Sequence, residues 1–190
     1  MNAAVRWALG VGLAVIAWAV ITITPDHREH TADPIPVHAV LGQTVDVSGM
    51  SLTVTDVHLS DGVIPPNGRV IAGRWVVVDL SILSRDSDVA APLGGVALTL
   101  NDTVVTSSDL TYGQVRLDGA QLRTGLVVSG SVLFQIPQEA PLGEATLLLS
   151  RRDDRAPGVW SDDQAQLTID LGTLPRESDL AFDAPTVRAP

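Results

Sequence analysis

The sequence predicts an all-β chain, an immunoglobulin-like β-sandwich of about eight strands preceded by one N-terminal transmembrane helix. Three observations predict it. Beyond residue 38, apolar residues recur at every second position in runs separated by turn residues. Residues 7–24, WALGVGLAVIAWAVITIT, contain no charge. The 190 residues are 45 % apolar yet only 4 % aromatic, so the core must be aliphatic. The expected organisation is a cytoplasmic stub at 1–6, an anchor at 7–24, a juxtamembrane linker at 25–37, the sandwich at 38–171 and an acidic tail at 172–190.

The uncharged run of 18 residues spans about 27 Å as a helix, close to the hydrocarbon thickness of a bilayer. Arg6 precedes it and Asp26, Glu29 and Asp33 follow, which puts the N-terminus in the cytoplasm and the rest of the chain outside. Ala17-Trp18-Ala19 fits a signal-cleavage site, but the apolar run continues through Thr24, which favours a retained anchor over cleavage after Ala19. Gly10 and Ala14 are spaced for a helix–helix contact, but a plain lipid-facing helix with its usual share of Gly and Ala is the better reading. His27 and His30 lie among Asp26, Glu29 and Asp33; Pro34 and Pro36 make an extended linker the better reading than a metal site.

The strands follow in order. Val45 and Val47 share one face, as do Leu52 and Val54, and then Val57 and Leu59. The step of three between Val54 and Val57 predicts a β-bulge near Thr55 and Asp56. Residues 61–69, DGVIPPNGR, read as a loop. In RWVVVDLSILS, residues 74–84, the core face is Val76, Val78, Leu80 and Ile82, with Trp75 at the start as a core or core-edge residue. A long loop at 85–95 precedes a hairpin that turns at Asn101-Asp102. YGQVRLD, residues 112–118, offers a further short strand. In residues 122–137 one face is Val128, Gly130, Val132, Phe134 and Ile136; Gly130 marks a bulge or a close neighbour, and Pro137 ends the strand. Residues 144–152 and 164–171 complete the set. The tail is expected to be disordered, with Leu180 and Phe182 able to dock in a groove.

Two segments resemble a bacterial ectodomain family of unknown function. One is Gly73 followed by the long strand through Leu80; the other is Leu122, Gly125, Gly130, Phe134 and Pro137 in that rhythm. The family is similar to the immunoglobulin-like sandwich of the secreted mycobacterial immunoprotective antigen. The resemblance implies a sandwich outside a Gram-positive cell behind a lipidated cysteine or a single span. This chain departs from it in having no cysteine, and in having Ser84-Arg85 where the family often places Asn after the central strand. Fold and location follow from such a resemblance; an activity does not.

Composition narrows the function. With 22 carboxylates against 12 bases, all arginine, the net charge is −10, which argues against nucleic acid and against anionic lipid surfaces. The absence of cysteine removes disulfides, thiol nucleophiles and thiolate metal sites, and suits an exported domain of a Gram-positive bacterium. No catalytic residue, metal site or cofactor is expected. There is no G-x-S-x-G, and His58 alternates with Val57 and Leu59, which makes it an outward-facing surface residue. Asp86 and Asp88 begin like a calcium loop, but Ala90 and Ala91 occupy later positions that such a loop needs. Asp153, Asp154, Asp162 and Asp163 flank Trp160, and Arg151, Arg152 and Arg155 are expected to pair with them. Asn101-Asp102-Thr103 matches a glycosylation sequon that the hairpin turn explains. Trp160 is either an exposed recognition anchor or a cap on the sandwich. The candidate interaction surface is therefore Trp160, Arg151, Arg152 and Arg155, on the longest loops at 61–69, 85–95 and 151–163. The expected function is non-catalytic: an anchored extracytoplasmic module that contacts a cell-envelope protein, with a divalent-cation or small-ligand binder as the alternative.

Overall fold

The computed structural model describes residues 34–66, 68–85, 93–108, 117–151 and 163–190, with residues 7, 10, 12–15 and 18 before them. The chain divides into two compact units, Met1–Asp33 and Pro34–Pro190. In the first, the described positions are helical, and Trp7, Leu13, Val15 and Trp18 are exposed. Among the described residues no helix is long and apolar enough to cross a membrane.

The second unit is a sandwich of two β-sheets. Its strands are β1 (Ile35–His38), β2 (Thr44–Val47), β3 (Met50–Ile64), β4 (Ile71–Ser84), β5 (Gly95–Leu100), β6 (Thr103–Thr106), β7 (Val127–Ile136), β8 (Glu144–Ser150), β9 (Asp163–Asp170), β10 (Arg176–Glu177), β11 (Leu180–Ala181) and β12 (Thr186–Arg188). A single 3₁₀ turn, Leu171–Thr173, is the only helical element among the described residues of this unit. One sheet runs β1-β9-β8-β5-β6 and the other β10-β3-β4-β7-β12, with β2 and β11 also paired to β3.

The core lies between the sheets and follows the alternation in the sequence. Leu52, Val54, Val57 and Leu59 of β3, Val76, Val78, Leu80 and Ile82 of β4, and Val128, Val132, Phe134 and Ile136 of β7 form its one side. Leu98 and Leu100, Leu147 and Leu149, and Leu167 and Ile169 form the other. Phe134 is the sole aromatic among the described buried residues of this main core, in keeping with an aliphatic composition. The β3–β4 register slips between Val54 and Asp56, where the step of three predicts a bulge. Asn101 and Asp102 both have positive φ, 49° and 60°, the geometry of the tight β5–β6 hairpin.

At Gly130 the structure selects the close neighbour over the bulge. The β4–β7 register is continuous there, and a Cβ on Gly130 would sit 3.3 Å from Pro185 Cα. β7 then stops at Ile136, before Pro137.

Three expectations change. The loop expected at 61–69 is shorter, because β3 runs on to Ile64 and the turn itself is closed by Gly68 N donating to Pro65 O at 2.8 Å. A second slip, between Ser60 and Gly62, moves Val63 from the inner face to the outer, where it packs on Trp75 and Val77. The linker expected through residue 37 ends earlier. Ile35–His38 pairs in parallel with β9 as an edge strand, a place where Pro36 costs no ladder bond. Of the short strand expected at 112–118, Leu117 and Asp118 lie in a bend and a turn, and the rest falls outside the described residues.

The largest difference is the tail. Instead of a disordered end, residues 172–190 carry β10 and β11, parallel to β3, and β12, antiparallel to β7. Trp75, Val77 and Leu133 point away from the main core, and this second apolar face is closed by Val63, Phe182 and the partly buried Ile71 and Leu180. The tail is ordered because it covers that face. Counting these strands and β1 turns an expectation of about eight into twelve.

Candidate interaction surface

Strand ends place the long connections. Ser84 at the end of β4 pairs with Met50, and Arg85 N donates to Gly49 O at 2.9 Å. Gly95 at the start of β5 pairs with Ser150 at the end of β8. Ser48, in the β2–β3 turn, donates its backbone amide to Asp163 Oδ2 at 2.9 Å, and its hydroxyl also bonds that carboxylate. These contacts tie the two sheets together at one end. The strands bracketing 85–95 and 151–163 therefore open at the same end of the sandwich, and β1 begins there too, Ile35 beside Asp163. The third of the expected loops, shortened to the residues between Ile64 and Ile71, lies at the far end of β3 and β4.

Of the residues expected to form the surface, Arg151 follows β8 directly and is half-buried. Trp160, Arg152 and Arg155 lie outside the described residues, as do Asp86, Asp88, Asp153, Asp154 and Asp162. Asp163, grouped by sequence with the acidic loop, is engaged by Ser48. Beside it Arg85 Nη1 and Ser51 Oγ both donate to Asp46, at 3.0 and 2.6 Å, which pins the β2–β3 hairpin to the end of β4.

His58 is on the outer face, as alternation requires, but it is not an ordinary surface residue. Its side chain is 19 % exposed and ringed by three carboxylates: Asp56 at 3.3 Å and Asp79 at 3.8 Å from Nε2, and Glu177 at 3.9 Å from Nδ1. Glu177 arrives on β10, so the tail produces the enclosure that local sequence does not announce. Ser131 donates to Asp79 Oδ1 at 2.5 Å. Asp79 thus stands between hydroxyl and imidazole, the reverse of the order in which an imidazole activates a nucleophile. Among the described residues no group of three or more His, Cys, Asp or Glu side chains is placed to hold a metal ion.

The segment between β11 and β12 also lines an open cavity of about 390 Å³ on the second sheet. Thr55, Asp79, Ser129 and Ser131 line it together with Asp183 and Arg188. Sequence reasoning missed this feature, although the alternation of Leu180 and Phe182 was its one signal.

No known protein family matches the chain, and no curated protein matches it. Among solved structures it is similar to a candidate lipoprotein of Bacillus subtilis, ycdA, with 13 % identity and a TM-score of 0.49 over 70 % of this chain and 40 % of that one. It is also similar to the yjhA protein of Bacillus subtilis, with 19 % identity and a TM-score of 0.47 over 68 % of this chain and 98 % of that one. A third is an uncharacterized β-sandwich protein of Clostridium difficile, with 13 % identity and a TM-score of 0.47 over 72 % and 96 % of the two chains. Likeness at this level concerns architecture, not activity.

Proposed function

We propose that the chain is a non-catalytic, membrane-anchored extracytoplasmic binding or accessory module that contacts another cell-envelope protein. The observation that carries the reading is the meeting of two long connections at one end of the sandwich. The strand order supports an immunoglobulin-like assignment. β3-β4-β7-β12 corresponds to A-B-E-D and β9-β8-β5-β6 to G-F-C-C′, with β1 beside β9. In that scheme residues 85–94 form the B–C connection and 151–162 the F–G connection, the pair that variable domains use for recognition. Trp160 and Arg151, Arg152 and Arg155 belong to the second of them. Kinship with the ectodomain family that resembles the mycobacterial antigen is part of this proposal. So is the span at 7–24, whose length and freedom from charge suit a bilayer. A chain anchored there has only residues 25–34 before β1, a tether of about 35 Å at full extension.

The test is crosslinking and affinity capture of the full-length protein from native membranes, beside a span-deleted form and a Trp160→Ala variant. One dominant envelope partner, weakened by Trp160→Ala without a change in melting temperature, is the expected result. A large fall in melting temperature makes Trp160 a core residue, and the absence of any partner refutes the module.

A further inference from the structure

The register of the second sheet gathers polar side chains on one face. In β4 the face that carries Trp75 and Val77 continues with Asp79 and Ser81. β7 sets Ser131 opposite Asp79 and Ser129 opposite Ser81. β12 extends the row: Thr186 stands opposite Ser129, and Arg188, two residues on, shares its face. All of them line the open cavity of about 390 Å³, together with Asp183 from the segment before β12. None belongs to the connections at 85–95 and 151–163, so the cavity is separate from the proposed partner surface.

Their bonding capacity is only partly spent within the protein. Ser131 donates to Asp79 Oδ1 at 2.5 Å, which orients that carboxylate. Arg85 and Arg176 are each joined to a carboxylate, Asp46 and Asp61. Asp183 and Arg188 differ: they form no ion pair with each other, and their side chains take no partner among the described residues. A carboxylate and a guanidinium thus border one cavity without neutralising each other, with the hydroxyls of Ser81, Ser129 and Thr186 beside them.

We propose that this cavity binds a small zwitterion, an α-amino acid or a molecule with the same pairing of ammonium and carboxylate. The planar guanidinium of Arg188 takes the carboxylate through two parallel hydrogen bonds. An ammonium has three donors and no acceptor of its own; Asp183, Asp79 and the hydroxyl oxygens of Ser81 and Ser129 are its acceptors. Charge selects this ligand over its relatives. A simple anion meets two carboxylates on a chain of net charge −10, and a simple cation meets Arg188. A saccharide finds no exposed ring to stack on, since the one aromatic of the lining, Phe182, is buried. The volume lies at the lower end of the roughly 300–1,000 Å³ of small-molecule sites, which suits a single amino acid.

The test titrates the isotope-labelled full-length protein in detergent micelles with L-alanine and follows the backbone amides of Ser81, Ser129 and Ser131 by NMR. L-Alaninamide lacks the carboxylate, N-acetyl-L-alanine lacks the ammonium, and glucose is the neutral control. L-Alanine is expected to shift these amides saturably, and each analogue to bind about tenfold more weakly, the loss of one charge-assisted contact. Arg188→Gln should weaken L-alanine binding to the same extent and erase the difference between L-alanine and its amide. Asp183→Asn should erase the difference between L-alanine and its N-acetyl form. Both side chains are exposed, so both variants should melt as the wild type does. Equal binding of L-alanine and its amide, saturable binding of glucose alone, affinity unchanged in both variants, or no saturable shift with L-alanine each overturns the site.

Discussion

Trp75 and Phe182 show how a residue near the C-terminus becomes part of a core. Trp75 is 1 % exposed although it faces away from the main core, and its indole donates to Ile71 O at 3.2 Å. Gly73 makes room for that ring, since a Cβ there would lie 3.0 Å from Trp75 Nε1 and 2.8 Å from Gln135 Nε2. Phe182, itself buried, seals the cluster, so Phe182→Ala is expected to cost about 3 kcal/mol, the low end for such a truncation, because the tail segment can partly collapse. Urea unfolding measures this directly. Nearby, Arg176 donates to Asp61 at 2.5 and 3.2 Å and holds that carboxyl below its ordinary value. A depressed carboxylate contributes stability above its unfolded value and loses it as the pH falls through the folded one. Wild type should therefore melt slightly above Asp61→Asn at neutral pH. The gap should close in acid and shrink with added salt, since the pair is exposed.

The tail acts as an element although no piece of it is long. β10 and β11 have two residues each and β12 has three, too few to hold by themselves. They persist because Leu59 N donates to Pro175 O at 2.9 Å, Phe182 N to Ile64 O at 3.2 Å, and Thr186 to Arg188 pair with β7. Ending the chain after Leu174 removes all of these and uncovers Val63, Trp75, Val77 and Leu133. The truncated protein should fold, since the main core is intact, but melt lower than Phe182→Ala. Its tryptophan emission should shift to the red and become more open to acrylamide. Unchanged emission would mean that the tail does not cover Trp75.

At the scale of the whole molecule, stability rests on one aliphatic core between two sheets and a smaller one outside the second, without disulfides. The binding-module reading makes melting indifferent to calcium and to chelator. A rise with calcium that chelator reverses would replace it with the cation-binding alternative, and differential scanning calorimetry distinguishes the two.

Much of this architecture was legible in the sequence. The inner faces of β3, β4 and β7, the bulge after Val54, the turn at Asn101-Asp102 and the stop at Pro137 are all local matters. A period of two, a broken period, a pair of turn residues or a missing amide each declares itself within a few positions. The second bulge was not legible, because Asp61 and Gly62 read as turn residues until a tertiary partner for Val63 is known. His58 was legible as outward-facing and not as enclosed, because the carboxylate at its Nδ1 comes from residue 177. By itself the sequence determined the all-β class, the aliphatic core and which residues of each long strand face it. Only the tertiary structure decided that residues 35–38 and 176–188 belong to the sandwich, and that the long connections at 85–95 and 151–163 open at one end. Strands of two to four residues carry no period of their own, and their pairing energy comes from partners about 60 to 130 residues away, which no local pattern records.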